Sequence, residues 1–557
     1  MSQSGESTTI FDAEREQFLN SKSSSRIALT VDDTEIDDEN DDIFFENELR
    51  TGLDSVIEDI GFGKFQKQLL VLCGFGWLAD NMWLQCVTMI LPRVQVHYQV
   101  SNSVIGFLPS AVTFGMMFGA LFWGTFSDSY GRKQAFNWTL AVTAFFGIFS
   151  SFAQSFTQLC FLLFFMGFGV GGNLPVDGAI FLEFVPKNQQ HLLTFMSIFW
   201  PFGAVVTSLF SYLVLPQNSC PESDGITFSC DISKNNGWRY LLAILGSLTL
   251  LMLIGRVLLF GLKESPKFLM ARNKHNEAAI VLREIAHING REISVDANDL
   301  STSDETPPRV SISMTYPPVK ILSNSHYRYG GFFADPMYFI KNRISSKRRD
   351  VAPLFTPKWI KTTILVWTIW SVISMAFVMF NVFLPKYLEA LAGTENSGSS
   401  GSDILDQVMK DILLFSFWGI PGSLIGTWLI DTPLGRRYTM AAGAFSTSLS
   451  VFLFTVLKTR IGTVICCSAI SLFTTIKYAV IYGYTAEVFE TKIRGTANGI
   501  ASACARITGI LAPIITGNLF SISLVAPIYV SAILFAIGGV CMVLLPIETK
   551  GRRAIFK

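Results

Sequence analysis

The chain has 557 residues, of which 50% are hydrophobic and only 15% charged, and its formal net charge at pH 7 is zero. A soluble protein carries about a quarter charged residues, so this deficit predicts an integral membrane protein and disfavours a soluble enzyme. The balanced charge gives no polybasic signal for nucleic acid binding.

The chain begins with a polar, acidic tail over residues 1–66, which includes the run DDTEIDDENDD. The tail has no early apolar segment of the kind that a signal peptide contains. Its low hydrophobicity and its acidity predict a disordered cytoplasmic segment.

Twelve apolar runs follow, each long enough to cross a bilayer as a helix of about 20 residues. They form an N-terminal half over 67–262 and a C-terminal half over 359–546, separated by a polar central loop over 263–358. The predicted spans are 68–91, 104–127, 135–152, 158–181, 192–215, 239–262, 359–384, 412–430, 439–457, 462–484, 496–519 and 525–546. The sequence therefore predicts an all-α membrane protein.

The short loops on one side of the predicted membrane hold most of the Lys and Arg, as does the C-terminal tail over 547–557. Because positive residues favour the cytoplasmic side, both termini and the central loop are predicted to be cytoplasmic. Within the central loop, the helical periodicity of 275–288 predicts a helix along that face. On the opposite side, 392–403 is rich in Gly and Ser and predicts a flexible loop.

A charged turn occurs once in each half, between its second and third predicted spans. The two strings are GTFSDSYGRK at 124–133 and GTWLIDTPLGRR at 426–437. The six-helix half is therefore the repeating unit, as in transporters whose two halves are related by an axis along the membrane normal.

The spacing of the first turn predicts a conformational gate. Gly124 would let a neighbouring helix approach closely, Asp128 would accept hydrogen bonds at a helix N-terminus, and Arg132 with Lys133 would anchor the loop. The alternative is that each turn only fixes the topology. The candidate gating residues of the two turns are Gly124, Asp128, Gly131, Arg132, Lys133, Asp431, Arg436 and Arg437.

Seven of the nine Cys lie in predicted spans, where they would pack as small apolar residues. Cys220 and Cys230 share the predicted outside loop 216–237, where a bridge is plausible, although the sequence leaves it open. The His and Cys residues have no metal-ligand spacing, so no metal or other cofactor is predicted. No phosphate-binding loop and no nucleophile–base pair is recognisable, which disfavours an ATP-driven pump and an enzyme.

Further strings resemble the major facilitator superfamily across residues 60–553, especially its sugar-porter members. Three of them resemble signatures that flank helix 6, the loop between helices 10 and 11, and the end of helix 12. These are GWRY (237–240) with LKESPKFL (262–269), AEVFETKIRG (486–495) and PIETKGRR (546–553). Three more are similar to the branch of synaptic vesicle glycoprotein and synaptic vesicle two-related proteins, namely IGFGKFQ (60–66), GFGVGGNLPVD (167–177) and RITG (506–509).

The chain departs from the sugar porters at positions that matter for hexose binding. Leu163 stands where those proteins usually have an Arg, and the helix 5 string MSIFWPFG (196–203) lacks the expected Gln. The helix 7 string SMAFVMFNVFLP (374–385) lacks the paired Gln. The resemblance thus implies a transporter of a small polar or charged solute, while the departures disfavour glucose.

Ionisable residues inside a span are costly, so each needs a partner or a function. The resemblance implies that helices 1, 4, 7 and 10 line a central cavity, which would contain Asp80, Asn81, Asn173, Asp177, Asn381 and Lys477. Asp80 would bind a proton or a substrate cation, or instead form a fixed pair with Lys477 or Arg506. Lys477 could attract an anionic substrate, and Arg506 is expected to brace helix 11.

Aromatic residues in the predicted spans could stack on a substrate ring, although packing is the simpler interpretation for each of Trp200, Tyr482 and Tyr484. The resemblance further implies a network of gating salt bridges at the cytoplasmic helix ends, with Glu183, Glu487 and Arg494 as members.

We therefore predict a secondary active transporter that works by alternating access and is driven by protons or by its substrate gradient. The alternatives are a facilitative uniporter, a non-transporting receptor or scaffold, and a membrane enzyme as the weakest. The partners would be a small-molecule substrate, protons and lipid, with cytoplasmic proteins on the tail and the central loop. The protein would reside in the plasma, endoplasmic reticulum or vesicle membrane of a eukaryotic cell.

Overall fold

A computed structural model describes residues 52–190, 192–220, 234–293, 295, 300, 351–395, 401–430, 432–457, 459–489 and 491–549. Within these residues, twelve long helices, labelled α1 to α12, carry the fold. They are Lys64–Tyr98 (α1), Phe107–Tyr130 (α2), Arg132–Ser150 (α3), Phe156–Phe184 (α4), Phe199–Asn218 (α5), Gly237–Ile254 (α6), Ile360–Asn381 (α7), Gly401–Leu429 (α8), Gly435–Val456 (α9), Arg460–Val488 (α10), Thr491–Phe520 (α11) and Ala526–Val543 (α12).

The packing of the helices repeats between the two halves. In the N-terminal half α4 packs on α2 and α3, α1 on α5, and α3 on α6. The C-terminal half has the equivalent pairs, with α10 on α8 and α9, α7 on α11, and α9 on α12. The halves meet along α5 and α8 and where α2 approaches α11. The internal repeat inferred from the two charged turns is thus visible in the helix packing.

Each predicted span corresponds to one of the twelve helices, and eleven described segments are long and apolar enough to cross a membrane. The exception is α3, whose first turn carries Arg132, Lys133 and Gln134. The start of α8 was predicted too late, because its first turns are polar and extend the helix to Gly401. The expected flexible loop 392–403 is consequently helical at both ends, in Leu384–Glu395 and from Gly401.

We call the end of the bundle that carries the Gly131 and Gly435 turns the motif face. Short helices cover the part of this face that belongs to the N-terminal half. They are Gly52–Ile60, Pro266–Ala271 and His275–Ile288. Asp54 of the first helix forms ion pairs with Lys267 and Lys187 at 3.0 and 3.2 Å. Partial burial raises the pKa of Asp54, but these two lysines outweigh it and hold the pKa below its usual value.

The helix at Gly52–Ile60 corrects the prediction of disorder for the whole segment 1–66. Its buried Leu53, Ile57 and Ile60 supply an apolar face that the acidic composition of the tail concealed. The helix predicted over 275–288 is present as His275–Ile288. Residues 1–51 and 301–350, to which the predictions of disorder and of protein partners also refer, lie outside the described part.

Glycines bring α2 and α4 into close contact. A Cβ added at Gly115 or Gly119 of α2 would overlap a carbonyl oxygen of α4. In the same way, a Cβ added at Gly167 or Gly171 of α4 would overlap a carbonyl oxygen of α2. Gly124, to which we had assigned a close approach, has no heavy atom within 4 Å of such a Cβ. The prediction for Gly124 is therefore wrong, since this glycine faces open space although its neighbours Trp123 and Ser127 are buried.

We expect Gly119→Ala to destabilise the protein by about 1–3 kcal/mol, because its new methyl group forces α2 away from the Phe168 carbonyl oxygen. Gly124→Ala, in the same helix, is the matched control and should stabilise it by up to about 1 kcal/mol through helix propensity alone. Thermal unfolding of the detergent-solubilised variants measures both. Equal melting temperatures would contradict the close-packing role of Gly119.

Candidate functional site

The Asp80 carboxylate lies in the middle of α1 and is fully buried. Its Oδ1 accepts a hydrogen bond of 2.7 Å from the Asn173 side-chain nitrogen on α4. Its Oδ2 has no hydrogen-bond partner, and neither has the Asn173 side-chain oxygen. No ion pair reaches Asp80 within the described residues, so neither of the fixed pairs considered for it, with Lys477 or with Arg506, is formed.

The C-terminal half faces Asp80 with Tyr482 of α10 and Arg506 of α11. These three side chains interact electrostatically with one another across the interface between the halves. Tyr482 is 53% exposed, and its interactions with Asp80 and Arg506 place it beside the space between the halves, which we call the cavity. The Trp370 ring packs edge-on to Tyr482, with the ring centroids 4.8 Å apart.

Arg506 does not brace helix 11 as expected. Arg506 is half-buried, and its guanidinium makes no hydrogen bond or ion pair with any described residue. The interactions that act on it are the electrostatic ones with Tyr482 and Asp80. A charged group without a partner near the middle of a spanning helix is a candidate for ligand binding.

The contacts of the remaining cavity candidates do not point to a ligand. Asn81 donates a hydrogen bond of 2.7 Å to the Trp200 backbone oxygen, and both residues are half-buried. Asn381 is half-buried at the end of α7. The Tyr484 hydroxyl donates to the Ile547 carbonyl at 2.7 Å, so this residue packs within the C-terminal half.

Asp177 does not line the cavity. It is fully buried and forms an ion pair of 2.9 Å with Arg256, which lies in the π-helical segment Gly255–Phe260 that continues α6. Arg256 also donates to the carbonyl oxygens of Leu72 and Phe136, and its Cζ lies 3.7 Å from the centroid of the Phe136 ring. Gly76 leaves room for the pair, since a Cβ there would overlap the Asp177 carboxylate.

Sequence reasoning missed Arg256 altogether. The available signal was a charge in the interior of the apolar run 239–262, whose other charge, Arg239, stands at its first position. The cost of burying a charge should have brought Arg256 to notice. The pair with Asp177 shows that both charges serve to join α6 to α1, α3 and α4. The substrate-binding role predicted for Asp177 is therefore corrected to a structural one.

Lys477 is also turned away from the cavity. Its Nζ lies 4.0 Å from the centroid of the Phe535 ring on α12. Its Cβ packs against α9, where a Cβ added at Gly443 would lie only 3.2 Å from it. Nζ is buried and has no hydrogen-bond partner in the described structure. Lys477 thus lies behind α10, within the C-terminal half, and the prediction that it attracts an anionic substrate is wrong.

The two charged turns contain equivalent ion pairs. Arg132 pairs with Glu183 at 3.0 Å and Arg436 pairs with Glu487 at 2.5 Å. The two partners are 51 residues apart in both cases. Each pair joins the turn to the end of α4 or α10 in its own half, so the predicted network consists of separate clamps rather than a bond between the halves.

A carboxylate after the last helix of each half caps the helix that follows each turn. Glu264 accepts hydrogen bonds from the backbone nitrogens of Arg132 and Lys133, at 2.7 and 3.3 Å. Glu548 accepts at 3.0 Å from the nitrogens of Arg436 and Arg437. This cap was assigned to Asp128, which instead lies in the last turn of α2, where it pairs with the Arg132 guanidinium at 2.5 Å.

Both caps depend on glycine. Gly131 and Gly435 have φ values of 117° and 65°, which an L side chain rarely adopts, and a Cβ at either position would meet the capping carboxylate. Of the other gating candidates, the Lys133 side chain is exposed, Arg437 donates to the Val543 carbonyl, and Arg494 donates to the Phe489 carbonyl at 3.4 Å rather than to an acid. Asp431 lies outside the described residues.

The halves are joined by polar contacts at the opposite end of the bundle. There Arg93 of α1 forms a buried ion pair with Glu389, and Lys386 donates to Gln95 and Asn102 at 3.1 and 2.7 Å. We call this end, with the Arg93–Glu389 pair at its centre, the latch face. Hydrogen bonds between described residues of the two halves occur here and deeper in the bundle, and none joins the halves at the motif face.

The end of α1 is fixed from within its own half as well. The Arg93 guanidinium donates to the Cys220 carbonyl, and Asn235 binds the Arg93 carbonyl at 2.9 Å and the Cys220 nitrogen at 3.4 Å. Cys220 is disulfide-bonded. Cys230, proposed from the sequence as its partner, lies outside the described residues.

We expect Glu389→Gln to open the latch face, because it leaves the Arg93 charge buried without a counter-charge. The ratio of closed to open molecules should fall at least about tenfold. Hydrogen–deuterium exchange of the segments around Arg93 and Glu389 measures the change. Asp406→Asn, which removes an exposed acid paired with Lys410 on α8, is the control and should leave the exchange unaltered.

Comparison with known proteins agrees with this architecture. The chain matches the Major Facilitator Superfamily over residues 71–405 and 408–555. It is 34% identical to the MFS siderochrome iron transporter 1 of Ceriporiopsis subvermispora, covering 90% of this chain and 91% of that protein. It is 28% identical to the synaptic vesicle 2-related protein of Rattus norvegicus, covering 90% and 81% of the two chains.

Among solved structures, the chain is similar to the inward open conformation of the xylose transporter XylE from Escherichia coli. The TM-score is 0.60 at 16% identity, covering 88% of this chain and 98% of that one, which shows a shared fold. The resemblance drawn from the sequence strings is confirmed. The protein is a multi-pass membrane transporter of a small-molecule substrate rather than an enzyme, and it belongs to the major facilitator superfamily.

Proposed function

We propose that this transporter couples the movement of a small polar or charged solute to protons, by alternating access, and that Asp80 carries the proton. The observation that supports this most directly is the buried Asp80 carboxylate, whose Oδ2 has no hydrogen-bond partner and which has no counter-ion among the described residues. An isolated carboxylate in a low-dielectric interior is strongly disfavoured, so taking up a proton relieves its cost.

The surroundings of Asp80 suit a reversible proton site. Asn173 holds one carboxylate oxygen from α4, and this amide can bind the charged and the neutral form. The Asp177 and Arg256 charges neutralise each other nearby, while Arg506 and Tyr482 approach from the C-terminal half. Access of substrate or movement of the halves would therefore change the balance between the two forms.

The arrangement of contacts supports alternating access. The halves are joined at the latch face and are not hydrogen-bonded to each other at the motif face, as far as the described residues extend. On the predicted orientation, the cavity would open to the cytoplasm in this conformation. The Arg132–Glu183 and Arg436–Glu487 pairs would keep each half rigid while the halves move.

Reconstitution of the full chain in vesicles that contain a pH-sensitive dye tests the proposal. Xylose, choline, lactate, inorganic phosphate and ferrichrome would be added one at a time, with protein-free vesicles as the control for passive entry. Protein-dependent entry of a solute together with acidification of the lumen is the expected result. Entry without acidification would contradict proton coupling and favour a uniporter, and entry of no probe would contradict the proposal as a whole.

A further inference from the structure

We propose that Arg506 is the recognition site for the negative charge of the substrate, and that the substrate is a small organic monocarboxylate. This inference rests on the proposed transport function and adds to it the class of the solute. Its basis is a guanidinium at the middle of α11 that faces the cavity and has no partner of its own.

The guanidinium of Arg506 is available for a ligand. Other arginines of the described bundle are occupied: Arg93 by Glu389, and Arg256 by Asp177 and two carbonyl oxygens. Arg506 in contrast makes no hydrogen bond or ion pair with a described residue, and it is half-buried. A planar fork of five N–H donors matches a carboxylate and binds it through two parallel hydrogen bonds.

The cavity around Arg506 favours an organic anion with a single charge. Lys477, a buried cation on α10, is turned toward Phe535, and Lys386 is bound to Gln95 and Asn102 at the latch face, so neither contributes a second positive charge. Tyr482 is 53% exposed beside Arg506, and with Trp370 it offers an aromatic surface to the organic part of the substrate. A hydrated inorganic anion would leave that surface without a contact.

The position of Asp80 explains how the charges would balance. When Asp80 is ionised, its negative charge interacts with the positive charge of Arg506 across the cavity. The same negative charge would repel a carboxylate substrate. When Asp80 binds a proton, the Arg506 charge is left for the substrate. One proton and one monocarboxylate would then enter together, with Asp177 and Arg256 neutralised by their own pair.

The test compares acids with their neutral amides on the purified full chain at pH 5.5 and pH 8. The probes are lactate with lactamide, 4-hydroxybenzoate with 4-hydroxybenzamide, and inorganic phosphate. We expect at least one acid to raise the melting temperature more than its amide does, and to do so more strongly at pH 5.5. Phosphate should have no comparable effect.

Three variants make the assignment specific. Arg506→Gln should weaken binding of the acid at least about tenfold, while Arg506→Lys retains part of it. Because Arg506 has no partner in the described structure, Arg506→Gln should not lower the melting temperature without ligand. Asp80→Asn should still bind the acid but lose the dependence on pH.

Equal stabilisation by acid and amide, no stabilisation by either acid, or full acid binding by Arg506→Gln would each overturn the assignment. A stronger effect of phosphate would replace the carboxylate with an inorganic anion and would also overturn it. This binding test needs no proton gradient, so it can fail while vesicles still show proton-coupled entry of another solute. It can likewise succeed while entry proves independent of protons.

Discussion

Asp80→Asn should fold normally and yet lose all uptake that is driven by a pH gradient. The amide has the shape of a protonated carboxyl group and can keep the hydrogen bond with Asn173, but it cannot release a proton. We therefore expect accumulation against a gradient to stop, while exchange of substrate for substrate at equal pH continues. Counterflow and pH-driven uptake in the same vesicles separate the two activities.

Asp177→Asn is the matched comparison for Asp80→Asn, because both acids are fully buried in the N-terminal half. It removes the counter-charge of Arg256, so the expected effect is on the stability of the protein rather than on coupling. Proton-driven accumulation that persists in Asp80→Asn would refute the coupling role, whatever the behaviour of Asp177→Asn.

Arg256→Met should cause a large loss of stability. It leaves the Asp177 carboxylate buried without a counter-charge, and the loss of one partner from such a pair costs about 3–5 kcal/mol. It also removes hydrogen bonds that join α6 to α1 and α3 through the carbonyls of Leu72 and Phe136. The yield of monodisperse protein and its melting temperature measure the effect.

The double variant Arg256→Met with Asp177→Leu provides the control. Replacing both charges by apolar side chains of similar volume removes the isolated charge, so the double variant should recover most of the lost stability. If the double variant is no more stable than Arg256→Met alone, the electrostatic explanation is incorrect and the packing of the guanidinium on Phe136 would be the dominant contribution.

The fold could be predicted because the bilayer requires long apolar runs, and twelve such runs in two groups permit few architectures. Helix ends were less predictable where polar turns continue a helix beyond the apolar run, as at the start of α8. The charged turns were recognisable, but the cap of the first turn was assigned to Asp128, and the true capping residues were not identified. Glu264 and Glu548 stand in the quoted strings LKESPKFL and PIETKGRR, and no local pattern shows that they reach back to α3 and α9.

The candidate site was predicted only in part, because the sequence places a residue on a helix but does not fix the rotation of that helix. Asp80 and Lys477 are both ionisable residues within predicted spans, yet one faces the interface between the halves and the other faces α12. Whether a buried charge has a partner is likewise decided by tertiary packing. That distinction separates Asp177, which is paired, from Asp80, which is not.

The bond between Ser208 of α5 and Ser416 of α8, 2.8 Å long, would serve as the fulcrum for the proposed movement of the halves. It lies near the middle of α8, a helix of 29 residues, so each arm of this lever is about 22 Å long. A rotation of about 15°, the scale of known rigid-body transitions, would move the end of such an arm by about 6 Å. Such a displacement would be large enough to part the Arg93–Glu389 pair, and it would limit the aperture to the width of a small molecule.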